Sequence, residues 1–352
     1  MIMKNDKLRI GITHGDINGI SYEIILKTFA DSRINDFFIP IVYGSPKVAA
    51  FYRKHLNIEN ASFNSISTPD EANPKRANII NVAADEIRVE IGKITDMAGQ
   101  ASVAALKMAT KDLRENKLDA IVTCPINKSN VQSDIYHFPG HTEFFAEEFE
   151  SKDYMMMMIS DAMRIGFVTS HIPIDNVSKN LNKELIIHKI KIMEKSLIVD
   201  FMVRKPRIAV LALNPHAGDN GLLGNEEDMI IIPAIDKCKA TGMLVFGPYP
   251  ADGFFASGMF RQFDAILAMY HDQGMIPFKS LSYNGGANYT SGLPIVRTSP
   301  AHGTAYDIAG ENKASIESFS EALHLACEIF KNRALYCELT ANPLKKVDPE
   351  SI

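Results

Sequence analysis

At 352 residues the chain is long enough for two domains, and 46% hydrophobic with 22% charged content is ordinary for a globular protein, which excludes a disordered or fibrous chain. A net charge of −5, without a basic run interleaved with aromatics, argues against nucleic acid as a partner. No apolar stretch is long enough to span a bilayer, and no signal-peptide region precedes the first strand-like run, so a cytoplasmic protein is expected.

The predicted elements alternate along the chain. A strand over 8–13 precedes a helix over 21–30, a strand over 38–44 precedes a helix over 46–56, and a helix over 96–116 precedes a strand over 119–124. The turn Phe138-Pro139-Gly140 opens a helix over 143–150. Met155 to Met158 read as buried strand, since methionine fills irregular core space. Strand-like runs follow over 164–169, 208–213, 244–247 and 264–268, with helices over 184–203 and 226–240. In a last helix over 316–336, Phe319, Leu323, Ala326, Ile329 and Phe330 recur at helical spacing, as a packing face does. This rhythm predicts an α/β fold. Cys124, Cys238, Cys327 and Cys337 have neither zinc-cluster nor disulfide-framework spacing and are expected to be reduced. No linker separates two halves, so the chain can cross between lobes more than once.

Three of the apolar runs, 164–171, 207–216 and 264–271, end in histidine. Strands apolar along their whole length suit a parallel sheet covered on both faces, and ligands bind where the carboxyl ends of such strands open. A lone histidine there is more often structural. Three of them, His171, His216 and His271, each at a turn-prone handover from strand to loop, point to one site for zinc or a similar divalent ion. His55, His137 and His188 lack such partners and read as surface or packing residues.

Signals for an anion lie nearby. Main-chain N–H groups at Gly140-His141-Thr142-Glu143 and the Thr142 hydroxyl can face a phosphate at a helix start, although Glu143 can equally serve as a cap. Lys279 follows the third histidine by eight residues, and Arg297 follows the Gly/Asn-rich stretch from Asn284 to Asn288; together they suggest a phosphorylated small-molecule substrate. A dinucleotide G-x-G-x-x-G turn and a Walker A sequence are both missing. The residues alone give a metal-plus-phosphate site and leave dehydrogenase, hydrolase and aldolase open. A metal-dependent phosphohydrolase is the weaker alternative, because H-E-x-x-H is missing and only Asp272 adjoins a proposed ligand; a non-catalytic phosphate-binding module is weaker again.

The motifs in combination resemble the 4-hydroxythreonine-4-phosphate dehydrogenase family over nearly the whole chain and in the same order. They are Gly15-Asp16 with Gly19-Ile20 and Glu23, Pro125-Ile126-Asn127-Lys128, Gly140-His141-Thr142-Glu143, Leu213-Asn214-Pro215-His216-Ala217-Gly218, Pro250-Ala251-Asp252, Tyr270-His271-Asp272-Gln273-Gly274, and Gly292-Leu293-Pro294 with Arg297-Thr298-Ser299. The resemblance implies a two-lobed fold like isocitrate and isopropylmalate dehydrogenases, with 1–128 plus 301–352 as one lobe and 129–300 as the other. It also implies a homodimer that completes each site, NAD or NADP as cofactor, and one divalent ion, zinc first among zinc, magnesium, cobalt and manganese. By the same likeness His171, His216 and His271 become metal ligands, with at least one supplied across the dimer interface. His141, Thr142, Lys279, Asn288 and Arg297 become substrate binders, and Asn288, Leu293, Gly303 and Thr304 face the cofactor. Asp252 or Asp272 becomes the acceptor of the alcohol proton, or the partner that orients a ligand histidine. The implied reaction oxidises 4-hydroxy-L-threonine 4-phosphate to a 3-keto acid that loses carbon dioxide, a step of pyridoxal phosphate biosynthesis. Tyr22 stands where the family usually has proline and Ser21 where it often has glycine, and D-erythronate or D-threonate 4-phosphate remains an alternative substrate.

Overall fold

Short β-branched runs bounded by glycine, proline and polar turns become twelve strands of one sheet in the computed structural model, which describes residues 7–82, 86–133, 136–282 and 285–343. They are β1 (Arg9–Thr13), β2 (Ile39–Gly44), β3 (Asn64–Ile66), β4 (Asn78–Asn81), β5 (Ala120–Thr123), β6 (Met155–Ile159), β7 (Arg164–Phe167), β8 (Arg207–Leu211), β9 (Leu244–Tyr249), β10 (Ala265–Ala268), β11 (Ala287–Ser291) and β12 (Arg297–Pro300). The spatial order is β3-β4-β2-β1-β5-β12-β11-β6-β7-β10-β8-β9.

Two parallel sets flank an antiparallel seam. β3, β4, β2, β1, β5 and β12 run one way, and β7, β10, β8 and β9 run the other. β11 and β6 join them through antiparallel pairings on both sides. The reversal means that the carboxyl ends of the two parallel sets point in opposite directions, so the seam is where both can reach one face. β1, β5, β8 and β10 are buried almost throughout, as double-sided covering requires. The methionine strand is buried except at Met156, as its composition predicts.

The helices begin where capping chemistry is available. Ser45 Oγ accepts from Val48 N ahead of Pro46–His55, Thr95 caps Asp96–Arg114, and Asn182 caps Lys183–Val199. Beneath the seam, the buried Asp200 carboxylate accepts from Ser196 and Tyr289 (both 2.6 Å) and from Arg333 Nε (2.7 Å), tying helices Lys183–Val199 and Glu317–Thr340 to β11. Among the described residues no helix is long and apolar enough to cross a membrane, and all four cysteines are free.

Three expectations change. Residues 226–240 open as a π-helical turn, Glu227–Ile231, before the α-helix Ile232–Lys239. The chain after β10 is no loop: helix His271–Leu281 starts at the histidine itself, accommodating Pro277 in its interior. Ala287 and Asn288 belong to β11, so their backbone is engaged in strand pairing and does not form a free phosphate loop. Asn284 lies outside the described residues, as do Met1 to Asp6.

Candidate active site

A cavity of about 200 Å³ opens over the seam, walled by the end of β5, the start of helix His141–Glu148, β6, β11 and β12, and the turn at His302 and Gly303. Arg297 is its best-defined cation. It is 2% exposed, and its guanidinium is held by Thr123 Oγ1 (3.1 Å from Nε, 2.6 Å from Nη2) and by Thr290 Oγ1 (3.1 Å from Nη1). Thr290 in turn lies 3.4 Å from Thr142 Oγ1, so three hydroxyls from β5, β11 and the helix start aim the side chain. These bonds use three of five guanidinium N–H groups, leaving one on each terminal nitrogen for a bidentate ligand. They also go only to neutral hydroxyls. Burial therefore pushes the Arg297 pKa down to about 10, an effect that Tyr136 and Glu143 only partly offset. A buried cation of this kind, beside the N–H groups of a helix start, is suited to phosphate.

His141 and Thr142 also line the cavity. Burial, then the charges of Arg297 and Lys128, hold His141 well below the ordinary histidine range, so its ring is neutral. His141 Nε2, Glu143 Oε2, Asn288 Oδ1 and His302 Nε2 are buried without a hydrogen-bond partner among the described residues. In the native structures of proteins such atoms are rare, and four around one cavity are the mark of a polar ligand. Lys279 is exposed on helix His271–Leu281, yet its charge is felt at His302, which burial first and Lys279 second hold below its ordinary pKa while the Gly303 carbonyl opposes them.

The three histidine-bearing strands are spatial neighbours in the order β7, β10, β8. Thr169 N and Oγ1 donate to Met269 O (3.1 and 2.8 Å), and Gln273 accepts from Met269 N (2.7 Å) while donating to Ala212 O, so the strand ends are cross-linked. His171 and His271 come together with ring centroids 6.1 Å apart. Imidazoles sharing one tetrahedral ion would sit roughly 5 Å apart, somewhat closer than this. Each has a carboxylate behind Nδ1: Asp272 Oδ1 at 2.7 Å from His271 and Glu143 Oε1 at 3.7 Å from His171. Burial raises the Glu143 pKa, but His171, its own amide and Lys128 together bring it below the usual carboxylate range. Nε2 of each ring is thereby left for a ligand. His216 is exposed on the turn after β8, and among the described residues no group of three His, Cys, Asp or Glu side chains converges to hold a metal ion. Among the described residues His171 and His271 are thus the pair that could share an ion, and His216 does not join them.

The remaining predicted residues separate. Gly303 and Thr304 follow His302 at the cavity mouth, where Thr304 O accepts from Ile20 N (3.0 Å). Gly19 makes that contact possible, since a Cβ there would meet Thr304 O at 2.5 Å. Leu293 is buried and lines a different cavity with Lys191 and Arg333. Asp252 is exposed on the short helix Ala251–Ala256 and does not line the seam cavity. Asp272 is engaged with His271. Sequence reasoning gave no role to Lys128 and Met156, and treated Glu143 as a cap; all three line the cavity. The single non-buried member of the methionine strand is a signal visible only once the strand's neighbours are known. Asp16, wholly buried, accepts from Asn18 N (2.9 Å), Asn130 Nδ2 (3.0 Å) and the Tyr306 hydroxyl (2.8 Å), joining the loops after β1 and β5 to the segment that follows Gly303.

Comparison with known proteins defines the class first. The crystal structure of 4-hydroxythreonine-4-phosphate dehydrogenase from Klebsiella pneumoniae superposes with a TM-score of 0.81 at 34% identity, over 93% of this chain and 99% of that one. The fold is that of the isocitrate/isopropylmalate dehydrogenases, and the chain is an oxidoreductase on that scaffold. The sequence model of the pyridoxal phosphate biosynthetic protein PdxA matches residues 36–326, and the chain belongs to that family. The 4-hydroxythreonine-4-phosphate dehydrogenase of Bacteroides thetaiotaomicron is 50% identical over 346 residues, 98% of this chain and 94% of that protein. A protein of Oceanobacillus iheyensis, provisionally named a D-threonate 4-phosphate dehydrogenase, is 37% identical over 324 residues, covering 91% and 97%.

Proposed function

We propose that the chain oxidises 4-hydroxy-L-threonine 4-phosphate with NAD or NADP and a divalent metal ion, zinc by preference, giving 2-amino-3-oxo-4-(phosphooxy)butanoate, which decarboxylates to 3-amino-2-oxopropyl phosphate. The observation that carries this is the buried Arg297, uncompensated by a hydrogen-bonded carboxylate and adjoining His171 in one cavity. Half the Bacteroides relative's sequence is shared across nearly the full length, which supports the amino substrate over the sugar acids. The provisional name of the Oceanobacillus relative keeps D-threonate or D-erythronate 4-phosphate as the second reading.

In this mechanism Arg297 grips the phosphate with its two free N–H groups, and Thr142 with the helix-start amides completes the cradle. Neutral His141 accepts or donates one hydrogen bond without adding charge beside Arg297. Lys279 and Asn288 hold the rim. His171 and His271, backed by Glu143 and Asp272, and His216 on the turn after β8 would hold the metal ion, with at least one of these ligands supplied across a dimer interface. The bound groups supply hydride acceptance and polarisation of the substrate alcohol. The alcohol proton leaves to Asp252 or Asp272, directly or through water. Gly303 and Thr304 lie along the nicotinamide side.

A homodimer is supported by what surrounds the histidines. Ile174 (71% exposed), Leu222 (77%) and Ile276 (65%) each lie within six residues of one of the three histidines, exposed apolar positions suited to contact with a second copy. We place the protein in the cytoplasm and assign 1–128 plus 301–352 and 129–300 as its lobes, which in the sheet adjoin at the parallel β5–β12 pair beside the seam.

The test follows nicotinamide reduction by absorbance with 4-hydroxythreonine, erythronate and threonate 4-phosphates, with and without zinc or magnesium. Metal-dependent turnover of the amino substrate alone is the expected result. Preference for a sugar acid would transfer the assignment to the second reading, and phosphate release without nicotinamide reduction would refute both.

A further inference from the structure

From His216 to Gly221 six consecutive residues have positive φ, at 53, 53, 80, 44, 54 and 88°. Four of them, His216, Ala217, Asp219 and Asn220, carry a Cβ that this left-handed conformation forces toward the neighbouring carbonyl. Isolated left-handed residues are common; a run of this length stands only if its surroundings impose it. Its entrance is anchored by Glu227, 2% exposed at the start of the π-helical turn. Its Oε1 accepts from the main-chain N–H groups of Leu213 and Asn214, both at 2.8 Å, and its Oε2 accepts from Asn214 Nδ2 at 2.9 Å. The same amide donates to Glu226 Oε2 (2.8 Å), and Glu226 Oε1 is held by Ser178 Oγ (2.6 Å). Gly218 is required where the turn crosses the carboxylate, since a Cβ there would lie 2.8 Å from Glu227 Oε2. His216 is exposed on this turn, as are Asp219 and Asn220.

We propose that Glu227 is a positioning residue for His216: its buried carboxylate, with Asn214, locks the left-handed turn so that the imidazole meets the metal site in one fixed orientation. This rests on the reading of His216 as a metal ligand. Glu227 touches no part of the cavity and acts only through the turn. π-Helical turns recur beside functional sites, where one inserted residue re-aims a side chain; here the insertion places Glu227 under the strand end.

Glu227→Gln keeps the shape but sets an NH2 group against either two main-chain donors or the Asn214 amide. Zinc affinity of the full-length, zinc-free protein is measured by competition with a chromophoric chelator for the wild type, Glu227→Gln, His216→Ala and the double variant. Hydrogen exchange of residues 214–223 is followed in the zinc-free state. Glu227→Gln is expected to weaken zinc binding roughly ten- to hundredfold. Exchange in the turn should rise while that of β8 stays slow, and the double variant should bind no more weakly than His216→Ala. Asn214→Ala, which leaves Glu227 its two main-chain donors, should shift zinc affinity in the same direction and serves if Glu227→Gln does not fold. Wild-type zinc affinity in Glu227→Gln alongside loss in His216→Ala overturns the positioning role and keeps the metal reading. Losses that multiply in the double variant overturn it too, because Glu227 would then act elsewhere. Unchanged zinc affinity in His216→Ala overturns the metal reading and the positioning role with it.

Discussion

Replacing Arg297 by methionine removes a cation while keeping most of its length, and the structure sets two opposing consequences. A fall of the guanidinium pKa from its ordinary value to about 10 corresponds to about 3 kcal/mol of penalty on the charged form in the ligand-free protein. Against this, Thr123 loses both its bonds from Arg297, while Thr290 keeps its approach to Thr142, a cost of about 1–2 kcal/mol. The ligand-free variant should therefore be as stable as the wild type or more so, by about 1–2 kcal/mol. With substrate the balance reverses: two charge-assisted bonds at roughly 1.5–3 kcal/mol each disappear, raising KM for the phosphorylated substrate by about two to four orders of magnitude. Denaturant midpoints with and without inorganic phosphate, together with kcat and KM, check both halves. A variant destabilised by more than about 2 kcal/mol with unchanged KM would show that Arg297 is a structural cation and not the phosphate ligand.

Glu143→Gln should weaken zinc binding about tenfold or more, because the carboxylate behind His171 Nδ1 is lost; equilibrium dialysis against zinc measures it, and unchanged affinity would leave Glu143 a simple cap. His14, wholly buried beside Tyr22 and donating from Nε2 to Ala101 O, is held down to about 4 by burial, with the Ala101 carbonyl opposing. Its unfolded-state value is about 6.5, so the unfolded chain binds the extra proton and stability falls as pH drops from about 6.5 to about 4, by about 3 kcal/mol from this residue. His14→Asn should flatten that part of the urea-midpoint profile, and an unaltered slope refutes the assignment. Gly19→Ala places a methyl 2.5 Å from Thr304 O and should raise KM for the nicotinamide cofactor severalfold while zinc affinity stays constant. Equal effects on both would mean that the contact supports the whole fold and not the cofactor side.

The sequence by itself determined the local pieces, because their causes are local. Period, β-branching and capping residues mark Arg9–Thr13, Pro46–His55 and Asp96–Arg114 within a residue or two of their observed ends. The same holds for chemistry carried by residue type: three strand-end histidines and a helix-start Gly-His-Thr are legible as letters. Only the tertiary structure decided which of these meet. The order β7-β10-β8 makes the histidine strands neighbours, and the antiparallel β6 and β11, which no local pattern distinguishes from parallel strands, reverse half of the sheet and bring Arg297 to His171. Glu143 reads as a cap until His171, on another strand's end, stands behind it, and Leu293 lies four residues before Arg297 in sequence yet lines another cavity. The left-handed turn at His216 is equally hard to read from its letters, since His216 and Ala217 do not favour that conformation; its entrance at Leu213 and Asn214 is held by the buried Glu227 through hydrogen bonds that exist only after β8 and the π-helical turn have packed. Propensity acts over a few residues, whereas a site is assembled by contacts between residues a hundred or more positions apart, and those are fixed by the packing of the sheet as a whole.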